Sequence, residues 1–341
     1  MIYQPREDSF LMQKYVRKYA KGLVLEIGTG SGILALESAK KPNVKKVLAV
    51  DIQKSVICHC KKNIKNKKIT FQTSDLFSKI KTKFDTIIFN PPYLPEDIKL
   101  KDLTLDGGKK GYEILERFLN NANYHLKENG IILIIFSSLT KKEKIDEFIR
   151  NNLFQSELLE KEHIFFEDLY TYQLKKSDLL KKLEKKKVNS IKYFTHGHRG
   201  ILFTGQYKKK KITIKAKLPE SKAEGRIQNE IKWLKILNKH KIGPKLLFHE
   251  KDFFIYEFIK GIFITPYIKK SKKAKITQTL KNIFKQLHII DKLKVDKEEM
   301  HHPFKHIIID KKPVLLDFER CHKTKKPKNL TQFLVCLIRK D

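Results

Sequence analysis

At 341 residues, 40% hydrophobic and 33% charged, the chain is too long for one ordinary core and has enough apolar material to bury two beneath a charged surface. No apolar run reaches bilayer-crossing length, and Arg6, Glu7 and Asp8 stand where a secretory signal would be apolar, which reads as a cytoplasmic protein with no membrane role. Cys58, Cys60, Cys321 and Cys336 exclude a disulfide framework, while the formal charge of +35 fits either an RNA or ribosome contact or a lysine-biased solvated surface.

From residue 21 to residue 136, β-branched apolar runs alternate with amphipathic stretches, the pattern of a parallel sheet covered by helices. Strands are predicted at residues 23–27, 46–50, 70–72, 86–89 and 131–136. Helices are predicted from near Ser31, from near Ser55, across 111–127 and across 141–151, with 157–164 and 170–174 as a closing antiparallel pair. Together these make a doubly wound, Rossmann-like α/β domain over residues 1–176. The lysine-rich stretch 177–189 reads as a solvated connecting helix. A smaller α+β domain follows over 190–341. In it, 193–194, 201–207 and 211–217 form a meander, 221–239 a long helix, 253–258 a strand, 277–287 a helix, and 307–310 with 314–316 a hairpin.

The first strand ends in Glu26-Ile27-Gly28-Thr29-Gly30-Ser31-Gly32. Gly28, Gly30 and Gly32 let the backbone turn sharply beside a ligand and leave helix N-terminal amides free. Dinucleotide enzymes use a similar turn, so the acids sharpen the reading. Glu26 sits in the strand end, and Asp51 ends the next strand, where a carboxylate accepts ribose hydroxyls. Asp75, in Ser74-Asp75-Leu76, ends the third at the height of an adenine amine. Each acid singly could be a helix cap; at three successive strand ends they imply an adenosine cofactor.

The fourth strand ends in Asn90-Pro91-Pro92-Tyr93. Two prolines stiffen the turn, remove two backbone donors and leave carbonyls as acceptors. A planar amide or amine can donate its hydrogens to the Asn90 side-chain oxygen and the Pro91 carbonyl, with Tyr93 against it and its lone pair aimed at a sulfonium methyl. Asp8-Ser9 before Phe10-Leu11-Met12 could also be a helix N-cap. Cys58-His59-Cys60 could hold a metal but lacks further ligands nearby.

On these motifs, residues 1–176 resemble the HemK-type glutamine methyltransferases, in particular their short archaeal and eukaryotic branch. The resemblance spans Pro5-Arg6-Glu7-Asp8-Ser9-Phe10-Leu11, the glycine turn, Asp51, Asp75 and the Asn90–Tyr93 tetrapeptide. It continues with Asp106-Gly107-Gly108-Lys109-Lys110-Gly111 and Phe166-Glu167-Asp168-Leu169-Tyr170. It implies S-adenosylmethionine as cofactor and, as protein substrate, the glutamine amide in the Gly-Gly-Gln loop of a translation termination factor. It further implies a small zinc-ribbon activator protein over an exposed apolar edge. By the same resemblance Glu7, Asp8 and Ser9 lie beside the cofactor, and the loop from Gly107 to Gly111 shapes the substrate mouth. The rival class is adenine-amine methylation of RNA or DNA, opposed by the lack of a preceding target-recognition domain and kept open by the charge. Lysine methylation is a further alternative.

In the second domain, Thr195-His196-Gly197-His198-Arg199-Gly200 is a glycine turn before a strand, and Lys215 falls on a later strand. Glu230 in the following helix can pair with it; Phe254-Ile255-Tyr256-Glu257-Phe258 and Leu315-Leu316-Asp317-Phe318-Glu319 follow. These residues resemble the small archaeal kinase-like proteins related to the RIO and KEOPS-complex kinases. The resemblance implies a nucleotide site of Gly197, Gly200, Lys215, Glu230, Glu257, His306 and Asp317 that binds ATP, with Asp317 on Mg. Two departures stand out. His302-Pro303-Phe304-Lys305-His306 lacks the expected base aspartate and puts His306 in place of a metal-binding asparagine, leaving Glu298, Glu299 or His302 as substitutes. Glu319 replaces a glycine. A kinase or adaptor with a secondary methyltransferase half is therefore the third class.

Overall fold

The computed structural model describes residues 3–95, 106–197, 200–218 and 225–338, in two compact units, Met1–Lys186 and Lys187–Asp341. The first unit runs α1 (Glu7–Tyr19), β1 (Gly22–Ile27), α2 (Ile33–Lys40), β2 (Val44–Asp51), α3 (Lys54–Asn63), β3 (Ile69–Thr73) and β4 (Phe84–Phe89). It continues with α4 (Glu113–His125), β5 (Leu126–Ser137), α5 (Lys142–Asn151), β6 (Phe154–Ile164), β7 (Glu167–Lys176) and α6 (Asp178–Lys185). Its strands form one sheet in the order β3-β2-β1-β4-β5-β7-β6. The pairs among β1 to β5 are parallel, and β7 runs antiparallel to both β5 and β6. The strand order reverses between β1 and β4, so a crevice opens beyond their carboxyl ends.

Both faces of this sheet are covered, which is why the central strands read as nearly continuous apolar runs. Val24 and Ile88 pack into one core with Met12, Leu34 and Val56, while Leu25 and Ile87 pack into the other with Phe118 and Ile145. Helix α1 occupies a segment in which the sequence suggested only a cap. Leu11, Met12, Tyr15 and Val16 recur at helical spacing and are buried, and Glu7 and Asp8 open the helix while Arg17 and Lys18 close it, complementing its dipole. The N-cap is Arg6, without a side-chain capping bond, so Asp8 and Ser9 lie inside the first turn and are not caps.

Helix α6 corrects the expected solvated connector. Leu180 and Leu183 are buried, Ser177 caps the helix by accepting from Leu180 N–H, and the buried Lys176 ammonium donates to Glu184 at 2.6 Å. Two leucines three residues apart make one apolar face under a lysine-rich one, and composition alone hides that face.

On α2, the buried Glu37 accepts from Arg17 Nε at 2.8 Å and Lys40 Nζ at 3.0 Å. The Arg17 bond outweighs burial and draws its carboxyl from the usual 4.5 down to about 2. Because the folded value lies below the unfolded one, this stabilisation is present above pH 4.5 and is lost as pH falls toward about 2. Both cations are exposed, which limits it to on the order of 1 kcal/mol. Urea unfolding of Glu37→Gln is expected to lose less stability across that window than the wild type does.

The second unit runs β8 (Asn189–His196), β9 (Gly200–Tyr207), β10 (Lys210–Lys217), α7 (Arg226–Asn238), β11 (Leu246–His249), β12 (Phe253–Glu257), β13 (Ile262–Phe263) and α8 (Ile264–Lys270). After these come α9 (Lys273–Lys292), β14 (Val295–Asp296), β15 (Ile307–Ile309), β16 (Pro313–Leu315), β17 (His322–Lys323) and α10 (Asn329–Ile338). An antiparallel sheet in the order β11-β12-β10-β9-β8 carries the expected meander. Trp233 and Leu234 of α7, Phe254 of β12, Ile283 and Leu287 of α9, and Phe318 share its core. Residues 221–224 of the predicted long helix, and His198 and Arg199 of the glycine turn, lie outside the described residues. Helix α9 is longer than predicted, and β11, α8 and α10 were not anticipated.

Candidate active site

In the first unit a cavity of about 380 Å³ opens at the carboxyl ends of β1, β2 and β4, against the first turn of α1. Gly28 and Gly30 line it, and Gly30 N–H donates to Asp51 Oδ2 at 3.2 Å. Gly32 stands outside the cavity wall. It caps α2 at φ 81°, and a Cβ there would lie 2.5 Å from Ile64 Cδ1, so this glycine serves helix packing and not a ligand.

Glu26 is buried in the cavity wall and accepts the Thr29 hydroxyl at 2.6 Å; burial pushes its carboxyl up to about 8. Asp51 accepts Gln53 N–H at 2.9 Å, and burial raises it as well. Asp75 lines the cavity, but its Oδ2 is shared with Arg117 at 2.8 Å. The carboxylate expected to face an adenine amine is therefore already held by a cation 42 positions along the chain, a partner with no local sequence signal. Leu76 and the exposed Ile52 supply apolar wall on the same side.

The geometry is most specific at Asn90. Its Nδ2 donates to Asp8 Oδ2 at 2.9 Å; the reversed amide would set an oxygen against a carboxylate. Asp8, 4% exposed, also accepts Tyr3 OH at 2.9 Å and Ser9 N–H at 2.6 Å. Asn90 Oδ1 is left buried with no partner among the described residues, an acceptor waiting for a donor. Glu167 Oε2, at the start of β7 and also in the cavity wall, is unpartnered in the same sense. Tyr93 lines the cavity beside them, and its burial together with the Asp8 and Glu167 charges holds the phenol protonated. Tyr3, which binds Asp8, and Arg117, which binds Asp75, went unnoticed in the sequence because neither belongs to a periodic pattern or motif.

The glycine loop expected at the substrate mouth closes onto the backbone of the tetrapeptide. Gly107 N–H donates to Leu94 O at 2.8 Å, and a Cβ on Gly107 would lie 2.8 Å from Pro92 O and closer still to Gly111 O. Gly107→Ala is expected to cost about 1–3 kcal/mol through this overpacking, read as a lower thermal midpoint, and to raise KM for the acceptor more than for the donor.

In the second unit, Lys215 of β10 donates to Glu230 Oε2 of α7 at 2.6 Å and to Asp317 Oδ1 at 3.2 Å. Burial would deprotonate Lys215, but the two carboxylates outweigh it and keep the ammonium charged. Burial likewise opposes the ionised Asp317, yet Lys215 and Lys297 hold it below the ordinary carboxylate range. Asp317 adopts φ 63°, and the fully buried Lys297 ammonium binds its carbonyl oxygen and Glu299 Oε2. His306 Nδ1 lies 3.6 Å from Asp317 Oδ2, and burial lowers its pKa, leaving the ring neutral.

The structure thus gathers Lys215, Glu230, His306 and Asp317, but not the whole expected nucleotide set. Gly200 lies over Lys215, within 3.6 Å of Cε for an added Cβ, whereas a Cβ on Gly197 would meet nothing. Glu257 is engaged with Lys210 and Lys245 at the end of β12.

The model of the family described as "Methyltransferase small domain" matches residues 8–166. A putative protein N5-glutamine methyltransferase of Methanocaldococcus jannaschii is 39% identical over 175 residues, which cover 49% of this chain and 88% of that protein. The release factor glutamine methyltransferase of Streptococcus pneumoniae is 33% identical over 123 residues, covering 33% of this chain and 44% of that protein; the chain thus spans less than half of this longer relative. Among solved structures, the E. cuniculi Mtq2-Trm112 complex, described as responsible for methylating the translation termination factor eRF1, aligns at 20% identity and a TM-score of 0.43. That alignment covers 52% of this chain and 99% of the solved one.

Proposed function

We propose, since the chain belongs to the HemK-like family of S-adenosylmethionine-dependent methyltransferases, that its first unit methylates the side-chain amide nitrogen of a glutamine in a translation release factor in the cytoplasm. When bound, S-adenosylmethionine supplies an electrophilic methyl group. The residues at the cavity fit it: Gly28 and Gly30 give backbone approach, Asp51 and Glu26 offer carboxyl oxygens, and Ile52 with Leu76 offer apolar surface to a planar base.

The observation that carries the substrate assignment is the orphaned Asn90 Oδ1. An amide N–H donated to it satisfies a buried acceptor and fixes the plane of the incoming group, so that positioning and electrostatics do the catalytic work without a strong base. Asp8 holds the amide of Asn90 so that oxygen, and not nitrogen, faces the acceptor. The Pro91 carbonyl offers the second acceptor and Tyr93 a face for the planar group. A small zinc-ribbon activator belongs to the same proposal; Leu158, Phe165 and Phe166 leave exposed apolar surface along the β6 and β7 hairpin. The experiment is transfer of labelled methyl from S-adenosylmethionine to a release factor and to its Gly-Gly-Gln loop Gln→Ala variant, with and without activator. Label confined to the unmutated factor is the expected result. Equal label on both, or label on RNA or DNA, defeats the assignment and turns the basic surface into the leading clue.

A second reading concerns the second unit, where Lys215 sits 2.6 Å from Glu230 and 3.2 Å from Asp317. That triad supports a kinase-like nucleotide site, with Lys215 on the phosphates of ATP and Asp317 on an accompanying Mg ion. Calorimetry with ATP is expected to show binding that Lys215→Ala removes. No binding in either protein rejects this reading and leaves the methyltransferase assignment untouched.

A further inference from the structure

We propose that Glu167 holds the backbone of the acceptor: its buried Oε2 takes a peptide N–H beside the amide that Asn90 receives, so the site reads a polypeptide loop and not a nucleobase. This rests on the methyltransferase reading of the first unit and gives the acceptor a second point of attachment.

Strand register is the first observation. Strand β7 opens at Glu167, which pairs with Ile164 of β6 across the two-residue turn Phe165-Phe166, and Leu169 pairs with both Glu162 of β6 and Ser137 of β5. Side chains alternate in direction along a strand, and accordingly Glu167 and Leu169 line the cavity while Asp168 between them does not. Asp168 N–H also donates to Ser138 Oγ at 3.1 Å, which ties this end of β7 to the segment after β5. Glu167 is therefore carried by the sheet.

The second observation is the lack of a partner, in a chain where 73 lysines and arginines face 38 acids. Asp168, one residue on, takes Lys161 at 2.9 Å and His163 at 3.0 Å. Asp8 takes Tyr3 OH, Ser9 N–H and Asn90 Nδ2. Glu167 Oε2 lies buried in the cavity wall with no partner among the described residues. A buried carboxylate oxygen is costly to leave open, so it selects an entering group that donates to it.

The third is a count of donors. Asn90 Oδ1 and the Pro91 carbonyl already accommodate both hydrogens of one amide or amine, so Glu167 calls for a further donor in the same acceptor. An adenine base has no N–H beyond its exocyclic amine, whereas a polypeptide repeats one at nearly every residue. Charge agrees with this. Burial first, and then the Asp8 and Glu167 charges, keep the Tyr93 phenol protonated, so both carboxylates bear on the place where the acceptor lies. Two such groups repel a phosphate and favour an N–H donor.

Transfer of labelled methyl to a release factor is measured in steady state, with and without the activator, for wild type, Glu167→Met and Glu167→Gln, and S-adenosylmethionine affinity is measured by calorimetry. Glu167→Met fills the volume without an acceptor; it is expected to raise KM for the factor about tenfold, with a smaller change in kcat and the same donor affinity. Glu167→Gln keeps an oxygen in place and should recover part of that loss. Glu167→Ala stands in if circular dichroism finds Glu167→Met unfolded. The same KM in wild type and the variant lacking an acceptor, or a loss confined to kcat, overturns the proposal and leaves the methyltransferase reading standing. Wild-type protein that labels no release factor refutes that reading, and this proposal with it.

Discussion

Asn90→Ala is expected to lower kcat by about 100- to 1000-fold while S-adenosylmethionine binds as before, because it removes a preorganised acceptor that acts on the group being methylated. The structure sets this residue apart from its neighbours: Asn90 Nδ2 is spent on Asp8 at 2.9 Å, and Oδ1 is buried with no partner among the described residues. Asn90→Asp is expected to fail nearly as badly. A second carboxylate beside the buried Asp8 invites like-charge repulsion or a protonated acid, and neither presents the same neutral oxygen. Single-turnover transfer and donor binding measured side by side separate the outcomes. Parallel loss of donor binding and turnover would move Asn90 from the acceptor side to the cofactor side.

Lys297→Met is expected to destabilise the second unit by about 3–5 kcal/mol, an effect larger than any surface lysine gives. Lys297 is fully buried, binds the Asp317 carbonyl and Glu299 Oε2, and lies 4.7 Å from the centre of the Phe318 ring. Methionine fills the volume but leaves the carboxylate of Glu299 buried with neither oxygen paired. The Glu299→Gln, Lys297→Met double variant should recover part of the loss, since the stranded charge is gone. Urea unfolding followed by Trp233 fluorescence reports on this unit, because Trp233 is the chain's one tryptophan and belongs to its core. A loss below about 1 kcal/mol would show that the pair is solvated and not buried.

The strands around the cavity were legible because short, largely apolar runs that include β-branched residues, followed by turn residues such as Gly28 and Pro91, have few other destinations. Glu26, Asp51 and Asn90 followed, as strand-end residues on a parallel sheet point into one crevice. What stayed hidden depended on partners far away in the chain. Asp75 looked available until Arg117 reached it from α4, and Gly32 looked like a ligand glycine until Ile64 was seen against it. Lys297 carried no signal at all in a chain where lysine is everywhere, and only burial distinguishes it. Lysine content also misled at α6, where two leucines outweigh the charged face above them.

The bond between Asp8 and Asn90 joins the opening turn of α1 to the end of β4, 82 positions later. The corner around Asn90 is therefore assembled from two distant stretches of the chain. An N-terminal cut or tag that unseats α1 would uncover the core around Met12 and Val16 and take Asp8 away from Asn90, so methyl transfer reads out whether that first helix is docked.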